Sequence, residues 1–530
     1  MQEFDYLIIG SGFGGSVAAL RLAEKGYRVA VIEAGSAFRD QDFAKTNWNL
    51  RRFIFAPWLG LRGIMRINFF RGVSILSGAG VGGGSLVYAN TLIKPRLGAL
   101  RGPSWPRLSA VSDWAEALAA HYQTARRMLG VTPAPVHFPA DQLLKETATA
   151  LGYGDTFSPV DVGVYFGKPG QTAADPYFGG EGPERSGCTL CGGCMVGCRN
   201  NAKNTLVKNY LYFAAKRGAT IQADSEVIDV RPLPDGRYQV VIKRPGGFWS
   251  SRRHIAAKQV IFAAGVLGTV KLLLHCRDVA KTLPKLSPTL GHGVRTNSES
   301  ILGVRIPSPR VPMSGGIAIA AGVHPDDHTS IEAVRYPAGS DAMGLLVMPL
   351  AGGRTPLERL LRVALYTLTH PLVVCRSWFP RGFAVESVII LVMQSLDSTM
   401  RFRLKRSLPW PFHKVLSGDF VGTARPPVLI PQGVAFVEKL AATTGGIAAS
   451  SSSEVVGVPL TAHILGGCPM GETAADGVID HAHRIHHYPG LFVLGGASVP
   501  ANLGVNPSLT ITAMAERAMT FIPPAKSSGA

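Results

Sequence analysis

The chain of 530 residues is short of charge and shorter still of acid. Charged residues make up 17%, with 35 Asp and Glu against 54 Lys and Arg, a net charge of +19. With 46% apolar residues and so little charge, it is not a disordered polymer. Nor does it hold an apolar run fit to cross a bilayer. The stretch 360–379 is broken by Arg362, His370, Pro371 and Arg376, and the run 384–394 is too short. The N-terminus lacks a basic segment followed by a long apolar one. The expectation is a soluble, cytoplasmic protein with membrane contact no deeper than peripheral. Cysteine is scarce, and four of the seven fall between Cys188 and Cys198, which excludes a spaced disulfide framework. Repeats of fixed period are absent, which excludes a solenoid.

The acid deficit favours anionic partners. No nucleic-acid motif accompanies it, and no nucleic acid is expected. Arg51, Arg52, Arg62, Arg66 and Arg71 interleave with Phe53, Phe55, Trp58, Leu59, Leu61 and Phe69. A second patch, Arg401, Arg403, Lys405 and Arg406, adjoins Trp410 and Phe412. Such mixtures suit an anionic bilayer surface or an ordinary solvated face.

What is abundant is glycine, and it is placed. Phe4 to Ile9 reads as a buried strand, Val17 to Lys25 has helical spacing, and Tyr27 to Glu33 reads as a second strand. Between the first strand and the helix stands Gly10-Ser11-Gly12-Phe13-Gly14-Gly15. Gly10 suits a tight turn, Gly12 a close approach to pyrophosphate, and Gly15 close helix packing. Glu33, followed by Ala34, stands where a carboxylate accepts ribose hydroxyls, which argues against a 2′-phosphate and leaves FAD or NAD. A second loop, Gly78-Ala79-Gly80-Val81-Gly82-Gly83-Gly84-Ser85, is too rich in glycine for helix or strand.

Residues 111–130 read as an exposed helix, and 219–243 as paired strands about Pro234-Asp235-Gly236. A buried strand runs from Gln259 to Ala264. The strand Leu491 to Leu494 and the helix Ser508 to Met519 return to the opening style. The fold class expected is α/β, α+β overall: a discontinuous Rossmann-like cofactor domain (residues 1–110, 205–300 and 456–522). Residues 111–204 are an inserted segment with the cysteines, 301–455 a sheet-and-helix substrate domain, and 523–530 a tail.

Three blocks hang together: Gly78 to Asn90, Phe262-Ala263-Ala264-Gly265, and His463-Ile464-Leu465-Gly466-Gly467-Cys468 with Gly504 to Ala513. In these the chain resembles the glucose–methanol–choline (GMC) oxidoreductases, most closely the bacterial cholesterol oxidase branch with non-covalent FAD. The resemblance runs from Asp5 to about Arg517. It implies FAD held by Gly10, Gly12, Phe13, Gly14, Gly15, Glu33 and Ala34, and by Gly78, Gly80, Gly83, Gly84, Ser85 and Asn90. Val227, Ala264, Gly265, Gly496, Asn506 and Pro507 complete that expectation. It also implies an alcohol held and deprotonated by His463 and Asn506, a pair chemically able to accept and to donate. Glu332 matches by position the carboxylate that moves a steroid double bond. The plain alternative is a surface Glu paired with Arg335. The implied substrate is a sterol or other bulky apolar alcohol, with oxygen or a quinone as acceptor. Where the family commonly has an Asp, this chain has Gly495, which offers no side-chain hydrogen bond. His481, His483, His486 and His487 read as a solvated loop.

Cys188, Cys191, Cys194 and Cys198 have the C-x2-C-x2-C-x3-C spacing of ferredoxin runs. An iron–sulfur cluster (3Fe-4S or 4Fe-4S), tetrahedral zinc, and free thiols or a disulfide all remain open. Two rivals to an alcohol oxidase follow. One is an FAD and iron–sulfur dehydrogenase serving a membrane acceptor, and the other a non-catalytic redox sensor.

Overall fold

A computed structural model of the chain describes residues 3–135, 138–247, 250–350, 352–353, 355–371, 374, 379–396, 398–406, 414–422, 425 and 427–526. Arg376, Cys375, Trp410 and Phe412 therefore lie outside the described residues.

Two sheets organise the molecule. In the first, the strands Thr220–Gln222, Val29–Ile32, Glu3–Ile9 and Arg253–Phe262 run parallel in that spatial order. Arg253–Phe262 then divides its outer edge. Its C-terminal half pairs in parallel with Leu491–Val493, and its N-terminal half pairs antiparallel with Tyr238–Lys243, which continues into Glu226–Pro232. Leu7-Ile8-Ile9 and Val29–Ile32 are buried on both faces, which is why they read as unbroken apolar runs. The helices Phe13–Glu24, Tyr210–Lys216 and Ser508–Thr520 pack together over this sheet. The helix expected at 111–130 forms as Trp114–Ala117 and Ala119–Met128 and is exposed along one side only. Tyr122, Ala125 and Met128 are buried, and the Tyr122 hydroxyl meets Thr510 of the C-terminal helix at 2.8 Å.

The second sheet is antiparallel and seven-stranded, with its centre in Ser300–Arg305, Ser387–Gln394 and Thr329–Val334. The side chains of each strand alternate between two faces. Leu302, Val304, Ile331, Ala333, Val388, Ile390 and Val392 form a core closed by the helices Pro139–Ala150 and Pro431–Thr444. The opposite face carries Ile301, Glu332, Val334, Ile389, Leu391 and Met393. Glu332 therefore sits on a face that is mainly apolar around it, with Ser330 beside it and Arg305 and Ser387 toward the far end.

Candidate active site

The parallel strands end together. The N–H of Gly10 donates to Ile32, that of Ala263 to Ile9, that of Leu494 to Phe262 and that of Glu33 to Gln222, each at 2.8 to 2.9 Å. Four loops thus leave the sheet side by side at the carboxyl ends of its strands, where open α/β sheets bind ligands. Gly10 has φ +99°, and a Cβ there would lie 2.5 Å from the Ala263 carbonyl. A Cβ on Gly15 would strike the Gly10 carbonyl at 2.0 Å, so helix and turn can touch only through glycine. A Cβ on Gly12 would meet nothing within 4 Å, and the helix Phe13–Glu24 that it caps has no side-chain cap and no acid in its first turn. Its N-terminal amides open onto free space that favours an anion.

The second glycine loop lies directly on the first. A Cβ on Gly83 would be 2.7 Å from the Cα of Gly12, and the Gly82 N–H donates to Ser11 Oγ at 3.0 Å. Glu33 is buried and accepts from the Ser11 N–H (3.0 Å), the Ser11 hydroxyl (2.8 Å) and the Gly35 N–H (2.8 Å). The Ser225 N–H on the strand leading to Val227 donates to the Glu33 carbonyl, and Ala264 caps the helix Gly265–Asp278. Ser85 is occupied within its own loop, donating to the Gly82 carbonyl and accepting from the Leu206 N–H. Gly495 adopts φ +100°, with room for a Cβ but in a conformation an Asp would strain. Its backbone packs on Gly14, where a Cβ would come within 2.6 Å of the Gly495 nitrogen.

His463 and Asn506 are brought together, with Asn506 Nδ2 3.4 Å from His463 Nε2. The other imidazole nitrogen, Nδ1, lies 3.0 Å from Glu299, a residue not among the expected site residues. The Glu299 side chain is fully buried and also accepts from the Thr461 hydroxyl (2.7 Å) and the Ala462 N–H (2.8 Å). Burial opposes charge on both partners. The mutual attraction and hydrogen bond win, lifting His463 above its ordinary value and holding Glu299 below its own. Glu332 is fully buried, and neither of its oxygens has a hydrogen bond; Asn506 Oδ1 is likewise buried without one. Burial pushes Glu332 up to about 7, against the pull of the neighbouring His463 and Asn506. Arg335, its expected surface partner, instead forms a buried ion pair with Asp141. Three unpaired acceptors beside an imidazole mark a place for a ligand with a hydroxyl group.

An expected result follows from the Glu299 contact. Glu299→Gln keeps the shape but removes the charge that raises His463. The acid limb of kcat/KM should move to lower pH, because a neutral His463 then persists at more acidic values. A profile measured by flavin reduction that stays in place would deny Glu299 this positioning role.

Other expectations need correction. His483 is buried, not solvated. Its Nδ1 lies 2.9 Å from the Val493 carbonyl, and burial lowers it to about 4. Phe53 and Phe55 are core residues, and Asp419 pairs with both Arg403 and Lys405, so neither basic patch is wholly free. Among the described residues no group of three or more His, Cys, Asp or Glu is found that could hold a metal ion.

This geometry, with glycine loops at the strand ends and a His–Asn pair beside them, is that of a flavin-dependent oxidoreductase acting on CH–OH groups. Residues 5–44 match the FAD binding domain model, and residues 183–276 and 438–515 match two GMC oxidoreductase models. Cholesterol oxidases from Acinetobacter baumannii and Mycobacterium tuberculosis are each 46% identical to the chain over 98% of its length, covering 94% and 91% of theirs. The chain belongs to the GMC oxidoreductase family. Its fold is shared with pyridoxine 4-oxidase from Mesorbium loti (TM-score 0.61, 16% identity) and a fungal aryl-alcohol oxidase (TM-score 0.59, 14% identity). Each of these alignments covers 98% of both chains.

Proposed function

We propose that the protein oxidises the 3β-hydroxyl of a sterol to a ketone, passes the electrons to oxygen, and then moves a Δ5 double bond into conjugation. The observation that carries this reading is the meeting of His463, Asn506 and Glu332 on the apolar wall of Ile301, Leu391 and Met393. Bound FAD, held by the two glycine loops and Glu33, would supply the acceptor for hydride from the carbinol carbon. With Nδ1–H donated to Glu299, Nε2 is the lone pair that takes the hydroxyl proton. The Asn506 amide holds the hydroxyl oxygen. Glu332 is shielded from the water that would stabilise its charge, and so is suited to shuttling a proton between carbons. Mixing FAD-loaded protein anaerobically with a 3β-hydroxysterol, its 3α epimer and a long-chain primary alcohol tests the reading. The 3β-sterol should bleach the flavin fastest. Bleaching by the primary alcohol alone would overturn it.

A sterol lies in a membrane, and the helix Pro356–Thr369 fits contact with a bilayer surface. Leu357, Leu361, Leu365 and Leu368 are 62 to 79% exposed along one side, while Arg359 and Val363 face inward. No helix among the described residues is long and apolar enough to cross a membrane. Replacing Leu361 and Leu365 with Asp should reduce sedimentation with sterol-containing vesicles at least tenfold, and slow turnover on vesicles far more than on detergent-dispersed sterol. Equal loss on both would place the helix in catalysis or folding instead. A second reading of the acceptor, an iron–sulfur cluster leading to a quinone, is favoured by one observation: all four clustered cysteines wall a single small cavity.

A further inference from the structure

The alcohol chemistry leaves the run Cys188 to Cys198 unused, yet its folding is specific. Leu190 (φ 58°) and Gly192 (φ 70°) both take left-handed conformations that turn the chain back on itself. All four sulfur-bearing residues then line one cavity, together with Lys203 and Asn200. All four are free thiols, so no disulfide explains the fold of the segment. Three of the sulfurs receive an N–H. Leu190 N–H donates to Cys188 Sγ at 3.4 Å, Ala202 N–H to Cys198 Sγ at 3.4 Å, and Asn200 Nδ2 to Cys191 Sγ at 3.5 Å. Donors aimed at sulfur stabilise a negatively charged ligand and tune a cluster. The fourth, Cys194, is buried, with the buried Asn90 amide and the Ala318 backbone beside it.

The thiols ring the cavity rather than converge on a point. Tetrahedral zinc would need every sulfur within about 2.3 Å of one centre, and no such convergence exists among the described residues. An iron–sulfur cluster would instead spread the four thiolates over several iron atoms. We propose that Cys188, Cys191, Cys194 and Cys198 ligate one iron–sulfur cluster. Since all four face the same cavity, the form expected is 4Fe-4S rather than 3Fe-4S.

Its position suggests what it does. Lys203, fully buried, donates to the Leu86 carbonyl (2.9 Å) of the second glycine loop and to the Cys194 carbonyl (2.7 Å), tying the two segments together. Asn90 ends the same glycine-rich block. On the other side Cys191 is exposed. The cluster therefore spans from the cofactor loop to the surface, a path for single electrons outward. One alcohol and two one-electron acceptors of the ferricyanide class give one ketone, two protons and two reduced acceptors. This relay rests on the second reading of the acceptor, whereas the ligation does not.

The test uses the full chain, purified without oxygen and reconstituted with ferrous iron and sulfide, with FAD content as the control for folding. The expected result is about four iron and four acid-labile sulfide per chain, with an electron paramagnetic signal after dithionite. Stoichiometric zinc, or no iron after reconstitution in protein that retains FAD, would overturn the ligation. Cys191→Ser should lose at least one iron per chain. In that variant the ratio of ferricyanide turnover to oxygen turnover should fall at least tenfold. An unchanged ratio with iron lost would overturn the relay alone.

Discussion

His463→Ala should slow anaerobic reduction of the bound flavin by alcohol about a hundredfold or more, the range expected when a positioned base is lost. The imidazole stands beside Glu332 and Asn506, whose oxygens are unpaired. Its orientation is fixed twice, by Glu299 at Nδ1 and by Asn506 near Nε2. A flexible water could accept the proton, but not with that alignment. The variant also strands Glu299 as a buried carboxylate without its imidazole partner, and removing one partner of a buried pair costs up to about 3 to 5 kcal/mol. Stability must therefore be separated from chemistry. The double variant Glu299→Gln with His463→Gln removes the orphaned charge and should regain thermal stability while remaining slow. Stopped-flow bleaching of flavin in protein matched for FAD content gives the rate. Reduction within a few-fold of the unaltered enzyme would take His463 out of the proton transfer.

How far the site could be read from the chain depended on whether its signal was local. The first loop is legible because the turn, the close approach and the helix start are mostly satisfied by neighbours in sequence. Gly15 must be glycine because of the Gly10 carbonyl five residues before it, and Gly12 leaves open the space at the helix start, although the clash that restricts Gly10 comes from Ala263. Glu332 is half legible. Its strand alternates, so Ile331 and Ala333 belong to the core and Glu332 to the opposite face, but only the sheet shows that this face is also buried. Glu299 was not legible. It precedes His463 by 164 positions, stands in a polar stretch of Asn297, Ser298 and Ser300, and becomes a partner only through tertiary contact. A carboxylate at the threshold of a buried strand, in a chain with so few acids, was the available signal. The inner face of the helix at 111–130 and the burial of His483 were missed for the converse reason. Both segments look polar locally and are covered by elements far along the chain, the helix Ser508–Thr520 and the strand Leu491–Val493.

Glu332→Gln should uncouple the two halves of the reaction. Oxidation asks the residues to hold a hydroxyl and receive its proton, work that falls to Asn506 and His463. Isomerisation asks something else. A proton must leave the carbon between the new ketone and the double bond and return to the far alkene carbon, which needs a base lying over the ring face. Glu332 is placed for that task, fully buried among mainly apolar neighbours and with neither oxygen in a regular hydrogen bond. Burial raises it to about 7, with His463 and Asn506 pulling down and Glu299 pushing up. A carboxylate with that value is basic enough to take a carbon-bound proton and acidic enough to give it back near neutral pH. Glutamine keeps the shape and loses the base. With a Δ5-3β-hydroxysterol, the unconjugated ketone should accumulate, and enone formation should fall by two orders of magnitude or more, while flavin reduction changes far less. In the unaltered enzyme the isomerisation step should quicken as pH rises through about 7, because the ionised form is the working one; in the variant that dependence should vanish. Following the enone's ultraviolet absorbance with purified Δ5-3-ketone as substrate isolates the step from oxidation. Enone formed at the normal rate by the Gln variant would assign the proton transfer to another group.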